Sequence, residues 1–368
     1  MGNIGETTLE IDLSALAHNF NYLKAKLNPN TKFLAVVKAF AYGNDMVTIA
    51  KKLEKLKVDY LAVAYAKEGV LLRDAGIRLP ILVLHPQTIN FSELIDRCLE
   101  PSLYSPRILR EFLKKTSQKG QKDYPVHIKF NTGLNRLGFW ESDVDFIQDT
   151  LEGRDEIKIV SLFSHLAASE DRDEEKFSLR QIASFQKINT SLAKRLGYQP
   201  MRHMLNTSGI VNYPEAQFDM VRSGIGLYGY GNQPEIDNEL KPVATLKTII
   251  SQLHKIEPHE SVGYNRAYTS DGYRTTATLP IGHADGIGRQ YGNGKTHVSI
   301  HRQKAPIIGN VCMDMVMVDV TDIDCKEGDE VVIFGDGNSA EDFAKSANTL
   351  SYELLTAISQ RVTRKIKE

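Results

Sequence analysis

The chain has 368 residues, of which 42% are hydrophobic and 25% are charged, and its formal net charge is -1. This composition indicates a globular protein with room for two domains, and the near-zero charge gives no reason to expect a nucleic acid or a membrane as a partner. The cysteines, Cys98, Cys312 and Cys325, show neither metal-binding nor disulfide spacing, which favours a reducing compartment. No signal-peptide pattern and no apolar run of ~20 residues is present, so we expect a cytoplasmic protein.

The first part of the chain alternates short apolar runs with amphipathic helical patterns. After a helical stripe over residues 13–27, strands are predicted at residues 33–37, 60–64, 80–84, 101–104, 126–130, 157–163, 201–205 and 217–221. Helical patterns such as residues 46–56, 66–75 and 107–115 lie between them. Eight alternations over about 200 residues predict a closed parallel (β/α)8 barrel of the TIM type.

Beyond about residue 235 the pattern changes to strands separated by turns rich in Gly, Asp and Asn. Strands are predicted at residues 245–256, 275–279, 296–300, 306–308, 316–320 and 330–334, and a helix is predicted at residues 352–359. The sequence therefore predicts an α/β protein with two domains, a barrel over residues 1–235 and a mainly β domain over residues 236–368.

Unusual polar residues follow the carboxyl ends of the predicted barrel strands, where TIM-type barrels place their active sites. They are Lys38, Arg136, His165, Asn206, Thr207, Ser208 and Arg222. A lysine in this position, beside a desolvated cavity, would have a depressed pKa and could serve as an amine nucleophile. Taken alone, a lysine at a strand end is more often a solvated surface residue.

A phosphate site is predicted after the seventh and eighth strands. Gly224 and Gly226 allow backbone N–H groups to approach an anion, and Thr207 and Ser208 add hydroxyl groups. An isolated Gly-x-Gly is more often a simple turn, but the neighbouring hydroxyl groups favour an anion cup.

Residues 36–45, VVKAFAYGND, resemble the cofactor-lysine segment V-V-K-A-x-A-Y-G-H-G of alanine racemases, the fold type III pyridoxal-phosphate enzymes. The resemblance implies that Lys38 holds pyridoxal 5'-phosphate as a Schiff base and that Tyr42 reaches its phosphate. Further segments match in order across nearly the whole chain, which makes the resemblance specific. Asn44 and Asp45 replace the usual His-Gly.

The segment at residues 222–229, RSGIGLYG, resembles the R-x-G-I-x-L-Y-G motif of the same family. The resemblance implies that Arg222 donates to the pyridine nitrogen and that Gly224 and Ile225 belong to the phosphate site. Because arginine does not give up its proton, the ring nitrogen stays unprotonated and a long-lived quinonoid is disfavoured. This suits proton removal and return while it suppresses transamination.

Residues 129–138, KFNTGLNRLG, resemble the family's K-x-D-T-G-x-x-R-L-G, with Asn131 in place of the acid. The resemblance implies that Arg136 contacts the cofactor's phenolic oxygen and the substrate carboxylate. Polar and apolar residues alternate here, which predicts that Lys129 points inward, and a buried ammonium beside Arg136 is costly. The family's solution is a carbamate on this lysine; an inward Lys129 with another partner is the alternative.

Three further segments match the family. In the resemblance, His165 of the Ser-His segment hydrogen-bonds the catalytic tyrosine and links it to Arg222. Tyr264, in residues 262–268, is the second catalytic base, and the backbone N–H of Met313, in the C-M-D segment, binds the substrate carboxylate. In the family these last two act on the barrel of the partner subunit, which implies a head-to-tail homodimer with shared active sites.

The resemblance implies an enzyme that interconverts L- and D-alanine with Lys38 and Tyr264 as its two bases, supplying D-alanine for peptidoglycan. The family's entrance tyrosine is His283 here and a phosphate-side tyrosine is Gln360, which leaves open a broader racemase, for serine for instance. A decarboxylase of the same fold type would carry an acid where Arg222 stands. A non-catalytic pyridoxal-phosphate carrier is a further alternative, against which the second domain argues.

Overall fold

The computed structural model describes residues 6–231 and 233–368, and it begins with strand β1 (Thr8–Asp12) and helix α1 (Leu13–Ala25). Eight parallel strands then close into a barrel in sequence order. They are β2 (Lys32–Val36), β3 (Tyr60–Val63), β4 (Ile81–Val83), β5 (Glu100–Leu103), β6 (Tyr124–Lys129), β7 (Ile157–Phe163), β8 (Met201–His203) and β9 (Met220–Ser223). The predicted (β/α)8 barrel is therefore confirmed.

Helices lie between the barrel strands and after the last of them. These are α2 (Lys38–Gly43), α3 (Met46–Lys55), α4 (Ala66–Asp74), α5 (Phe91–Asp96), α6 (Pro106–Gln118), α7 (Val144–Leu151), α8 (Glu175–Leu196), α9 (Thr207–Asn212) and α10 (Pro234–Asp237). Short 3-10 helices lie at Thr88–Asn90, Glu141–Asp143, Pro214–Ala216 and Ile225–Tyr228. Among these residues and the rest of the described chain, none of the helices is long and apolar enough to span a bilayer.

Barrel strands β3 and β4 are continuous apolar runs because helices cover one face and the barrel interior covers the other. Every residue of β3 and β4 is buried. The last barrel strand begins three residues later than predicted, at Met220. The 3-10 turn before it and the φ of 49° at Phe218 interrupt the extended backbone, so the ladder begins only beyond them.

The rest of the chain forms a mainly β unit, as predicted. Its strands are β10 (Ala244–Ile249), β11 (Gln252–Ile256), β12 (Ser261–Val262), β13 (Tyr268–Thr269), β14 (Arg274–Leu279), β15 (His297–Ile300), β16 (Gln303–Ile308), β17 (Val316–Asp319), β18 (Glu330–Phe334) and β19 (Thr363–Lys367). Helices α11 (Ala340–Lys345) and α12 (Ser351–Ala357) follow β18. Nine strands form one sheet in the order β11-β14-β17-β16-β15-β18-β10-β1-β19, and β12 pairs with β13.

Strand β1 belongs to this sheet although it opens the chain. It pairs antiparallel with β10 and parallel with β19. By their contacts, the described residues up to Leu16 group with Tyr42–Asp45 and Pro242–Glu368, and the barrel unit consists of Ala17–Ala41 and Met46–Lys241. The predicted division at residues 235 and 236 had assigned β1 to the barrel, because pairing with a remote strand leaves no trace in the local pattern.

The predicted strand over residues 245–256 is wrong as a single element. It is two strands, β10 and β11, which pair with different neighbours. At the break, Ile250 donates its N–H to the carbonyl of Asp329, and Ser251 donates its N–H to the carbonyl of Thr278. The chain changes partner strand at this point, so an unbroken run of strand-forming residues is divided.

Candidate active site

Lys38 is the first residue of α2, and one residue separates it from the end of barrel strand β2. This helix is a left-handed turn in which residues 39–42 have φ angles of 52° to 56°. That conformation costs roughly 1–2 kcal/mol for each residue that carries a Cβ. Glu68 on α4 helps to hold the turn, because its Oε1 accepts the N–H of Ala39 at 2.6 Å while Oε2 accepts the N–H of Ala64 at 2.7 Å.

Four cationic side chains influence one another at the carboxyl end of the barrel: Lys38, Lys129, Arg136 and Arg222. Burial and then the charge of Arg136 lower the pKa of Lys38, whereas Glu68 acts in the opposite direction. Burial and the three other cations lower the pKa of Lys129 to about 8. The site therefore has an excess of positive charge and is suited to an anionic ligand.

Arg222 is 4% exposed and donates to four acceptors. Its NH1 reaches Nδ1 of His203 at 2.8 Å, and its NH2 reaches the carbonyl oxygens of Ser164 at 2.7 Å and Met204 at 3.0 Å. NH2 also reaches Nδ1 of His165 at 3.0 Å. Burial and the charge of Arg136 lower the pKa of Arg222, but a guanidinium keeps its proton in proteins. All four contacts are made by NH1 and NH2 of Arg222, and its Nε–H takes part in none of them.

His165 is held in a defined protonation state by this contact. Burial, followed by the charge of Arg222 and of the neighbouring cations, lowers its pKa well below the usual value, so the ring is neutral. A guanidinium can only donate, so Nδ1 of His165 accepts and the ring proton resides on Nε2. His165 can therefore offer one N–H donor to a further group.

The loop after β6 carries Arg136, which is exposed. Asn131, which replaces the family's acid, organises this loop. Its Oδ1 accepts the N–H of Gly133 at 3.1 Å and that of Asn135 at 2.9 Å, and its Nδ2 donates to Oδ1 of Asn135 at 2.9 Å. The amide thus accepts the turn's N–H groups as a carboxylate would, but without adding negative charge near Arg136.

The segments after β8 and β9 lie against each other, as the predicted anion cup requires. Oγ1 of Thr207 accepts the N–H of Gly226 at 3.3 Å and shares a hydrogen bond with Oγ of Ser223 at 3.0 Å. A Cβ at Gly226 would lie 2.4 Å from Cγ2 of Thr207, so only glycine fits there. Gly224 directly precedes the 3-10 helix Ile225–Tyr228.

Asn206 and Ser208 have structural contacts in this cup. Oδ1 of Asn206 accepts the N–H of Gly209 at 3.0 Å, and this hydrogen bond caps α9. The same oxygen also accepts the hydroxyl of Ser169 at 2.7 Å. The hydroxyl of Ser208 donates to the carbonyl of Gly231 at 3.3 Å. As placed, Ser208 has committed its only hydroxyl proton, so it would address an anion through its backbone N–H.

Tyr42 is 7% exposed and its ring centroid lies 6.1 Å from that of Tyr352. Burial, with a smaller contribution from Tyr352, raises the pKa of the Tyr42 phenol. Tyr42 therefore remains a protonated hydrogen-bond donor at physiological pH.

Tyr264 and Met313 lie in the mainly β unit and line one cavity of about 560 Å³. Their side chains are 70% and 59% exposed. The backbone at Tyr264 is held by Asn310, whose Nδ2 donates to the Tyr264 carbonyl at 3.0 Å. The structure thus brings together two predicted site residues that are remote in sequence.

The two positions where the family has a tyrosine are both exposed. His283 donates its backbone N–H to the carbonyl of Cys312 at 3.0 Å, so its loop is attached to the C-M-D segment. Gln360 is followed by Arg361, which binds the carboxylate of Asp285 with both Nε, at 2.7 Å, and NH2, at 3.1 Å. These contacts hold both loops in place, although His283 and Gln360 stand where the family has tyrosine.

Two residues at this site were missed in the sequence analysis, Glu68 and His203. Glu68 is the third residue of α4, a position where an acid often serves only as a helix cap. His203 ends β8 within a weakly apolar strand. The available signal was its inward position on a barrel strand, and this did not distinguish it from a core histidine.

Comparisons with known proteins cover nearly the whole chain. A family model described as "Alanine racemase, N-terminal domain" matches residues 11–232, and one described as "Alanine racemase, C-terminal domain" matches residues 243–366. A curated alanine racemase of Halothermothrix orenii is 37% identical over 98% of this chain and 97% of the relative.

Solved structures show the same similarity. An alanine racemase of Clostridium difficile 630 superposes with a TM-score of 0.92 at 35% identity, covering 99% of this chain and 96% of that one. The alanine racemase of Bartonella henselae, solved with covalently bound pyridoxal phosphate, has a TM-score of 0.90 at 28% identity, covering 99% of this chain and 100% of that one.

Proposed function

The chain belongs to the alanine racemase family, and from this premise we propose how its residues interconvert L- and D-alanine. The reaction is an isomerisation at the α-carbon, so one group must remove a proton and another must return a proton on the opposite side. D-alanine as a peptidoglycan precursor is consistent with the family.

The residues of the barrel site fit pyridoxal 5'-phosphate, and the excess of positive charge is the observation that carries this proposal. The charges that shift the pKa values of Lys38 and Lys129 comprise the four cations, Lys38, Lys129, Arg136 and Arg222, and one carboxylate, Glu68. A ligand with a phosphate and a phenolate oxygen would supply the missing negative charge. When bound, such a cofactor draws electrons from the α-carbon of an attached amino acid and acidifies its proton.

Each residue has a role that its surroundings support. Lys38, with its lowered pKa, would hold the cofactor and take or return the α-proton on one face. Arg136 would contact the phenolic oxygen and the substrate carboxylate, and Arg222 would face the ring nitrogen. The phosphate would lie in the cup of Asn206, Thr207, Ser208, Gly224 and Ile225, with Tyr42 as a further donor.

Arg222 decides which reaction follows proton removal. With the cofactor bound, Arg222 would donate a hydrogen bond to the ring nitrogen and keep its own proton. The guanidinium would thereby oppose protonation of that nitrogen, which favours return of the proton to the α-carbon. Arg222 thus favours racemisation over transamination.

We propose that the second base comes from another copy of the chain in a homodimer. Tyr264 is 70% exposed and Met313 is 59% exposed. Both line a cavity of the mainly β unit that is open at the surface of that unit. Large exposed apolar groups in one cavity are typical of a contact surface. In the proposed dimer Tyr264 supplies the proton-transfer group on the second face, hydrogen-bonded to Nε2–H of the partner chain's own copy of His165.

We expect the purified protein to be yellow and to contain a bond that borohydride reduces, and both expectations test the cofactor proposal directly. We expect borohydride to abolish the visible absorbance and to leave a reduced pyridoxyl group on Lys38, identified by peptide mapping, because Lys38 follows barrel strand β2, has a lowered pKa and matches the family's cofactor lysine. Lys158, which is exposed on barrel strand β7, should carry no label. Assays of the same preparation with L-alanine, L-serine and other L-amino acids measure the breadth of substrates. A label on Lys129, or on no lysine, would reject the assignment.

Lys129 is proposed to carry a carbamate. Its pKa of about 8 leaves a substantial neutral fraction, and that amine can add CO2 with loss of one proton. The product is an anion, which Arg136 and Arg222 would stabilise in place of the repulsion they exert on the ammonium.

Stability measurements distinguish the two forms of Lys129. In CO2-free buffer, the folded protein releases the Lys129 proton near pH 8 and the unfolded chain near 10.5, so the free energy of unfolding of cofactor-free protein should rise between these values. Lys129→Met should lose that rise, and the exposed control Lys158→Met should keep it. Added bicarbonate should stabilise the wild type at pH 8 but not Lys129→Met; equal responses would reject the carbamate.

A further inference from the structure

A continuous line of hydrogen bonds crosses the barrel interior from Arg222 to Glu100. Its members lie on five successive strands, from β9 back to β5. NH1 of Arg222 is 2.8 Å from Nδ1 of His203, and Nε2 of His203 is 2.9 Å from Oγ of Ser161. Oγ of Ser161 is 2.6 Å from Nδ1 of His127, whose Nε2 is 2.8 Å from Oε2 of Glu100. The three middle side chains are fully buried.

With one proton on each histidine ring, the two ends of this line determine the direction of every hydrogen bond within it. A guanidinium only donates and an ionised carboxylate only accepts. Burial, followed by Arg222 and His127, lowers the pKa of His203 well below its usual value, so its ring is neutral and carries one N–H. Nδ1 of His203 therefore accepts from Arg222, and Nε2–H donates to Ser161.

The remaining two links continue in the same sense. The hydroxyl of Ser161 donates to Nδ1 of His127, and Nε2–H of His127 donates to Glu100, so each donor meets one acceptor. The phenol of Tyr60 also hydrogen-bonds to Glu100. The alternative to this direction has His127 protonated on both nitrogens. The hydroxyl oxygen of Ser161 then accepts a hydrogen bond from each of the two rings.

We propose that Glu100, His127 and Ser161 are positioning residues that hold Arg222 in place against the ring nitrogen of the cofactor, acting through His203. This inference rests on the proposed function of Arg222. Its four acceptors are two carbonyl oxygens and two imidazole nitrogens, and the line ends at Glu100 on a negative charge that polarises both imidazoles toward Arg222.

Ser161 is the link on which the orientation of His203 depends. Phe163 stacks on the His203 ring with centroids 4.9 Å apart and planes at 6°, which fixes the plane of the ring. Stacking does not distinguish the ring from one flipped by half a turn about its Cβ–Cγ bond. The hydrogen bond from Nε2 to Ser161 and the one from Arg222 to Nδ1 together select one of the two orientations.

The test compares Ser161→Ala with Ser102→Ala. Ser102 is a matched control because it is also fully buried, it pairs with His127 across the barrel ladder, and within the described residues its hydroxyl has no hydrogen-bond partner. In the holoenzyme, the ratio of transamination to racemisation should rise about fivefold in Ser161→Ala, as expected for one lost hydrogen bond, and should change less than about twofold in Ser102→Ala.

A second readout needs no cofactor and no activity. In cofactor-free, full-length protein with ¹⁵N-labelled histidine, NMR should show His127 and His203 as neutral rings protonated at Nε2. Ser161→Ala should alter both sets of signals, and Ser102→Ala should leave both rings in the same tautomer. Because this measurement is independent of turnover, its result tests the hydrogen-bond line even if the proposed function is incorrect.

Glu100→Gln provides a variant that keeps an acceptor oxygen but removes the charge. We expect it to raise the transamination ratio and to preserve the Nε2–H tautomers. The proposal is overturned if His127 is doubly protonated in the wild type, or if Ser161→Ala and Ser102→Ala give the same ratio. It is also overturned if Ser161→Ala does not fold and Glu100→Gln has the wild-type ratio.

Discussion

An equal mixture of Lys38→Ala and Tyr264→Ala chains, refolded together, should recover about a quarter of the wild-type racemase activity, whereas each homodimer should be nearly inactive. Each substitution removes one of the two proton-transfer groups, a loss of about 10²–10⁴-fold. Co-refolding equal amounts makes half of the dimers mixed. In a closed two-fold dimer with shared sites, one site of each mixed dimer then carries both defects and the other carries neither.

The exposure of Tyr264 is the structural basis of this prediction. A second tyrosine of the same unit, Tyr273, is 78% exposed and does not line the cavity that contains Tyr264, so the Tyr273→Ala homodimer should retain its activity. The mixed dimers are verified with two different affinity tags. If they form and no activity returns, each site is built from one chain and the shared-site proposal is rejected.

Arg222→Glu should convert much of the remaining turnover from racemisation to transamination. With the cofactor bound, a carboxylate facing the ring nitrogen would favour its protonation, whereas Arg222 opposes it, and a protonated ring favours transamination. We expect racemisation to fall by at least about 100-fold and the ratio of pyruvate to D-alanine to rise by at least about tenfold, roughly the change in barrier that 1.4 kcal/mol produces. Pyruvate and D-alanine are measured in the same reaction.

The same substitution should lower stability, because the acceptors that Arg222 now satisfies remain buried. The carbonyl oxygens of Ser164 and Met204 would each lose a donor, at about 1–3 kcal/mol. His165 and His203 can respond by taking up a proton, whereas the carbonyl groups cannot. Arg222→Lys is the control that keeps the charge, and it should racemise without the rise in pyruvate. A folded Arg222→Glu protein with unchanged product ratio would refute the role given to Arg222.

The barrel could be predicted because its strands obey a local rule. Strands buried on both faces favour continuous apolar runs, and the runs in β2, β3 and β4 stand out between amphipathic helices. The positions of Lys38, His165 and Arg222 followed from the same pattern, since residues at the carboxyl ends of parallel strands meet at one end of a barrel. Their chemical roles came from the resemblance to the family.

The left-handed turn at residues 39–42 could not be predicted from local preference, which opposes it at each position. The N–H of Ala39 meets the carboxylate of Glu68, and these residues come together only after β2 and α4 have packed. The same is true of β1, which looks like an isolated segment until β10 and β19 pair with it.

By itself, the sequence determined the succession of strands and helices, the change to a mainly β unit and the residues that end the barrel strands, because each depends on neighbours within a few positions. The tertiary structure alone decided the line from Arg222 through His203, Ser161 and His127 to Glu100. Hydrogen bonds require their atoms within about 3 Å in a defined direction. For residues on five different strands, only the closing of the barrel brings those atoms together.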